Sequence, residues 1–214
     1  MRSGSPVMVV DGLGRACRGE LIIGRNRSEV RVINELRNYG EPAVHVTLAA
    51  GLSAGHKFDT TVEKATELGV RRIVPLITEK GKVSLEEPKR ARTKLRRWER
   101  VALAAVKQCR RSCRPEIASP RTIATFLAEA DPDDCKLVFA TTGQRSTLAD
   151  VLGKDNVRRV TLLIGPEAGL TDEETAAAVA RGFVPVTLGP RVLRTETAGP
   201  VACALVMQQL GELS

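Results

Sequence analysis

The stretch VTLLIGPEAGLTDEE, Val160 to Glu174, decides how this chain is read. Its first five residues are apolar and rich in β-branched side chains, and they stop at a Gly-Pro turn, the pattern of a buried strand. Thr171 and Glu174 stand at the Ser/Thr-x-x-Glu spacing of a capping box, which predicts a helix opening after Thr171. Gly165 and Gly169 strip side chains from the loop between, so its backbone amides are open to a ligand and a bulky side chain at 165 would fill the ligand's space. Open α/β sheets bind ligands at such strand exits. On this segment alone, an ordinary strand-turn-helix corner would look the same.

The pattern then repeats. VPVTL, Val184 to Leu188, predicts a second strand, and Gly189-Pro190 again follows it. The next residues, Arg191-Val192-Leu193-Arg194-Thr195-Glu196, bring two arginines and a glutamate to a strand exit, where chemistry tends to sit. An apolar helix ending near Leu210 comes after them. Further back, Val44 to Ala49 and Arg72 to Thr78 read as strands, as does Lys136 to Thr141. Helices are predicted for Lys57 to Leu68, Arg92 to Arg111 and a short piece near Leu148. Strands alternating with helices predict an α/β fold with a mostly parallel sheet covered on both faces. Residues 1–44 differ: short apolar runs at Pro6 to Asp11 and Glu20 to Gly24, then an alternating run from Glu29 to Asn34, predict a small β-rich module ahead of a 45–214 domain.

Hydrophobic residues are 43% of the 214, enough for a packed core, and no apolar run is long enough to predict a membrane span. The N-terminus lacks the charged-then-apolar pattern of a secretory signal. Five cysteines form no Cys-x-x-Cys pair and only two histidines accompany them, so no metal site and reduced, cytoplasmic thiols are expected. The net charge of +8 favours a polyanionic partner. Projected at 100° per residue, the Arg92–Arg111 helix puts Leu95, Trp98, Ala102, Ala105 and Cys109 on one side. Arg92, Arg96, Arg100, Lys107, Arg111 and Arg114 fall opposite, either as a solvated face or as a stripe for phosphates. Trp98 lies in the apolar stripe and reads as core rather than as a stacking platform.

Four blocks in fixed order resemble the RsmE family of the SPOUT superfamily, bacterial methyltransferases of small-subunit (16S) ribosomal RNA. They are Lys64-Ala65-Thr66-Glu67-Leu68-Gly69-Val70 with Ile73-Val74-Pro75-Leu76; Trp98-Glu99-Arg100 with Gln108-Cys109; Gly165 to Thr171; and Leu188 to Thr197. Ala168 stands where the family has glycine. The resemblance implies a C-terminal trefoil knot, a homodimer, and a PUA-like RNA-binding barrel that the first 44 residues match only from partway in.

It also implies S-adenosyl-L-methionine as cofactor, held by Ile164, Gly165, Pro166, Glu167, Gly169, Leu188, Gly189, Val192 and Leu193. Phe139 to Thr142 are weaker candidates for the same pocket. The activity implied is methylation of a uridine N3, and loss of the N3 proton leaves an anion over O2 and O4. Arg194 is the candidate cation to stabilise it, with Arg191 in reserve. Glu196 is the candidate to orient Arg194 through a paired contact or to accept the proton. Two alternatives stay open at this point: methylation of another RNA by a related SPOUT enzyme, and a non-catalytic RNA-binding protein of ribosome assembly.

Overall fold

The computed structural model describes residues 1–81, 83, 87–140, 145–153 and 157–213. Three strands come first: β1 (Pro6–Val10), β2 (Arg15–Ile23) and β3 (Ser28–Arg37). They form an antiparallel sheet in the order β1-β2-β3, with a register shift at Arg18/Gly19. The chain then alternates through β4 (His45–Gly51), α1 (Lys57–Glu67), β5 (Arg72–Ile77), α2 (Pro88–Cys109), β6 (Glu116–Ile117), β7 (Arg121–Thr122) and α3 (Ile123–Ala128). It continues with β8 (Cys135–Phe139), α4 (Leu148–Leu152), β9 (Arg159–Ile164), α5 (Asp172–Ala180), β10 (Val184–Val186) and α6 (Thr195–Gln209). The predicted alternation holds, and β6, β7 and α3 are additions that the pattern did not announce.

The second sheet has seven strands in the order β10-β8-β9-β4-β5-β6, with β7 beside β5, and all its pairings are parallel. Each strand alternates its side chains between two cores. Val46, Leu48, Ile73, Leu137, Leu162 and Ile164 face α1, α2, α4 and α6. Ala49, Val74, Leu76, Val138 and Leu163 face α3 and α5. A strand buried on both faces must be apolar throughout, which is why VTLLI carries no exposed polar position. Trp98 is in the first core, its ring 4.7 Å from that of Phe58, as its place in the apolar stripe predicted. Cys203 on α6 is fully covered, and burial pushes its thiol up to about 12.

Arg111 corrects the sequence reading. Helix α2 stops at Cys109, and Arg110 turns into the left-handed region at φ 63°, so the projected stripe does not extend to position 111. Arg111 turns inward instead and is 2% exposed. Its guanidinium donates to Glu41 Oε2 at 2.8 Å and to the carbonyls of Thr66 and Val70 at 2.6 and 3.1 Å. Glu41 in turn accepts the Cys113 amide at 2.7 Å. Beside this pair the segment of the first sheet is tied to the residues after α2 through main chain: Ser112 donates to Tyr39, Gly14 to Ser112 and Arg114 to Gly12, at 2.8 to 3.0 Å. The residue expected to touch phosphate is therefore a buried anchor between the two sheets.

Candidate functional site

The carboxyl ends of β8, β9 and β10 converge on one cavity of about 370 Å³. The nine residues Ile164, Gly165, Pro166, Glu167, Gly169, Leu188, Gly189, Val192 and Leu193 all line it. Arg191 lines it too, with Phe139, Ala140, Arg145, Thr187, Thr195 and Ala198. Of the weaker candidates, Phe139 and Ala140 are therefore in place, while Thr141 and Thr142 lie outside the described residues. Arg145 and Thr187 were not anticipated; Arg145 comes from the segment after β8, and its Nη1 lies 3.5 Å from Thr187 Oγ1.

The first loop is held from several sides. Thr171 caps α5 through its side chain to the Glu174 amide at 3.0 Å, and Glu174 returns a carboxylate oxygen to the Thr171 amide at 2.9 Å. The other oxygen of Glu174 accepts the Glu79 amide at 2.9 Å, which ties the loop to the end of β5. Lys80 Nζ donates to the Leu170 carbonyl at 3.1 Å. Lys57, at the start of α1, donates to Glu167 Oε1 at 3.0 Å. Burial alone would raise the Glu167 carboxyl, but the Lys57 hydrogen bond and the amides of Glu167 and Ala54 outweigh it and hold the group below its usual value. Glu167 therefore stays charged at neutral pH, and its bracing of the loop is lost only as pH falls through that lowered value.

Glycine serves two purposes here. At Gly169 and Gly189 the backbone has φ of +72° and +98°, and no atom lies within 4 Å of where a Cβ would stand, so the main chain is bare toward open space. At Gly165 the reason differs from the one expected. A Cβ there would lie 2.7 Å from the Leu170 amide nitrogen and 2.8 Å from the Gly169 carbonyl carbon, inside the loop's own turn. Gly51 allows the same close approach from β4, where a Cβ would meet the Pro166 nitrogen at 2.4 Å. Ala168 keeps a φ outside the left-handed region, so its methyl group is unstrained.

The second loop leaves Arg194 exposed, and its side chain makes no ion pair or hydrogen bond among the described residues. Its carbonyl opens α6 by accepting the amides of Thr197 and Ala198. Glu196 is half-buried, and its Oε2 is covered without a hydrogen-bond partner. Of the two roles open to Glu196, the paired contact with Arg194 is absent: the guanidinium is in solvent and one carboxylate oxygen of Glu196 is shielded from it. Four of the six basic residues expected on the stripe, Arg92, Arg96, Arg100 and Lys107, are exposed on α2, and Arg114 is exposed just beyond it. No cluster of potential metal ligands occurs among the described residues, and no helix there is long and apolar enough to cross a membrane.

A parallel sheet with bare-backbone loops at the exits of β9 and β10, on either side of β8, defines a protein that cradles a small ligand with main-chain groups. The family model of the RNA methyltransferase domain matches residues 40–207, and the chain belongs to that family. It is 34% identical over 208 residues to Ribosomal RNA small subunit methyltransferase E of Synechocystis sp., spanning 96% of this chain and 67% of that relative. Among solved structures, it is similar to a ribosomal RNA small subunit methyltransferase E from Neisseria gonorrhoeae bound to S-adenosyl methionine, with TM-score 0.87 and 31% identity over 98% of this chain and 85% of that one. A methyltransferase from Legionella pneumophila with bound SAM gives TM-score 0.86 at 31% identity, covering 97% of this chain and 84% of that one.

Proposed function

We propose that the protein transfers a methyl group from S-adenosyl-L-methionine to N3 of a uridine in small-subunit ribosomal RNA. The observation that carries this reading is the cavity at the ends of β8, β9 and β10, with bare backbone at Gly169 and Gly189, in a chain of the RNA methyltransferase family. The bound cofactors and the names of its relatives in Neisseria and Synechocystis support it. Main-chain groups of residues 164–169 and 188–193 would hold the cofactor, which brings an already activated methyl group, so the protein's task is positioning.

Arg194 is free to meet the substrate because nothing among the described residues occupies its guanidinium. It would stabilise the anion left when N3 loses its proton, with Arg191 on the cavity wall as reserve. Glu196 offers an unpartnered carboxylate oxygen in the first turn of α6, near Thr195 and Ala198 of the wall, and would take the N3 proton. The same reading has the C-terminal segment threaded as a trefoil knot and the chain working as a cytoplasmic homodimer. It takes residues 1–44 as part of a PUA-like RNA-binding module and 45–214 as the methyltransferase domain. The exposed bases Arg92, Arg96, Arg100, Lys107 and Arg114 would contact RNA phosphates.

Incubation with unmodified small ribosomal subunits and cofactor, followed by mass spectrometry of the RNA, should place one new methyl group on a uridine N3. A methyl group on another base, or on none, overturns the assignment. In calorimetry, Gly165→Val should abolish heat from S-adenosyl-L-methionine, because its side chain would displace the 165–170 turn. Unchanged affinity in that variant would remove the loop from the binding site.

A further inference from the structure

Most of the large aromatic rings are buried. The six aromatic residues are one tryptophan, one tyrosine and four phenylalanines. Trp98, Phe58, Phe126 and Phe183 are buried in the two cores. Phe139 lines the cavity, and Tyr39 is half-buried with the Arg18 guanidinium 5.5 Å from its ring centre. The exposed rings are the imidazoles of His45 and His56, and no aromatic residue bounds either of the two surface grooves beside α2 on which an unpaired base would have to stack. Unpaired RNA is gripped largely by such stacking, whereas paired RNA is held through phosphates and sugar hydroxyls along its helix.

The exposed cations form a stripe that suits a phosphate backbone. Arg96, Arg100 and Lys107 follow one another at helical spacing along one side of α2, and Arg110 caps its end, all exposed. At 1.5 Å per residue the stripe runs roughly 21 Å. Arg114 joins it: Arg96, Arg100, Leu103 and Arg114 bound one open groove, in which Glu99 is the one acidic residue. Lys107 and Arg110 bound the next, together with Met8, Val9 and Val10 of β1. None of these five cations is ion-paired among the described residues.

Both ends of the stripe have neighbours that matter. Near its start, Arg97 binds Asp59 of α1 through Nε at 2.8 Å, and two residues earlier Lys57 holds Glu167 of the cavity. Its far end abuts β1 of the first sheet. We propose, resting on the function given above, that this stripe is a track for paired, A-form RNA. It holds the substrate by its backbone from the first sheet toward the cavity, and only the target nucleotide leaves its helix.

The test uses the full chain, a fully paired RNA hairpin and an unpaired uridine-rich strand with the same number of phosphates. Fluorescence anisotropy across a salt series should show the hairpin bound on the order of tenfold tighter. Arg96→Gln, Arg100→Gln and Lys107→Gln together should flatten the slope of log affinity against log salt for the hairpin by about 3. Arg96→Lys with Arg100→Lys should keep the slope, because charge rather than shape is removed in the first set. Equal or tighter binding of the unpaired strand overturns the proposal, as does an unchanged slope in the glutamine variant. Cofactor calorimetry and methyl transfer to small subunits, run alongside, separate the two readings. Hairpin preference without cofactor binding would sink the methyltransferase assignment alone; methyl transfer without hairpin preference would sink the track alone.

Discussion

Arg111→Gln should lower the free energy of unfolding by about 3–5 kcal/mol, measured as a shift in denaturant midpoint at constant slope. The magnitude follows from burial. The side chains of Arg111 and Glu41 are each 3% exposed, so removing the cation leaves a carboxylate in the interior with the Cys113 amide and the more distant Arg71 Nη1, 4.0 Å away, as its remaining partners. The carbonyls of Thr66 and Val70 lose their donor as well. Arg111→Lys should recover part of the loss, since it keeps charge but not the planar fork that reaches three acceptors. Arg111→Met with Glu41→Leu should recover more, because the cost lies in the unpaired ion rather than in the missing pair. A loss under about 1 kcal/mol would mean that water screens the pair as it does at a surface.

Arg194→Ala should slow methyl transfer by about 10²–10³-fold while leaving cofactor affinity within a few-fold. A group that meets charge appearing only in the transition state affects rate and not ground-state binding. Arg194 fits this because it is exposed, unpaired among the described residues and one residue beyond the cavity lining at Leu193. Its loss should not unfold the chain, since its side chain supports no other group among the described residues. Arg194→Lys should restore the rate in part. A full rate in Arg194→Ala, in single turnover on small subunits, would transfer the role to Arg191, which does line the cavity.

What the sequence disclosed and what it hid divide along physical lines. The capping box of Thr171 and Glu174 was legible because its partners are three residues apart and its chemistry is local. The cavity loops were legible because Gly-Pro after an apolar run marks a strand exit wherever it occurs. Arg111 was misread because a helical projection assumes that the helix persists, and the left-handed turn at Arg110 carries no mark in residue type. The Lys57–Glu167 contact joins residues 110 apart, beyond the reach of any periodicity. Elements as short as β6 and β7, two residues each, leave too few positions for a pattern. The absent Arg194–Glu196 pair shows the same limit: spacing brings two charges near each other in sequence and does not decide which of them faces water.

The parallel pairing of β4 has a consequence for the order in which the chain acquires structure. Thr47 to Gly51 pair with β5 on one side, but on the other His45 to Ala50 pair with Arg159 to Ile164, a segment synthesised far later. Until β9 emerges, β4 presents a row of free amides and carbonyls in an apolar strand, the template that edge-to-edge association exploits. Contacts so remote in sequence also close slowly, because a long loop must be ordered before they form. The vulnerable species of this protein is thus the nascent chain that already has β4 and β5 but lacks β9, and a chaperone that shields one strand edge would serve it best.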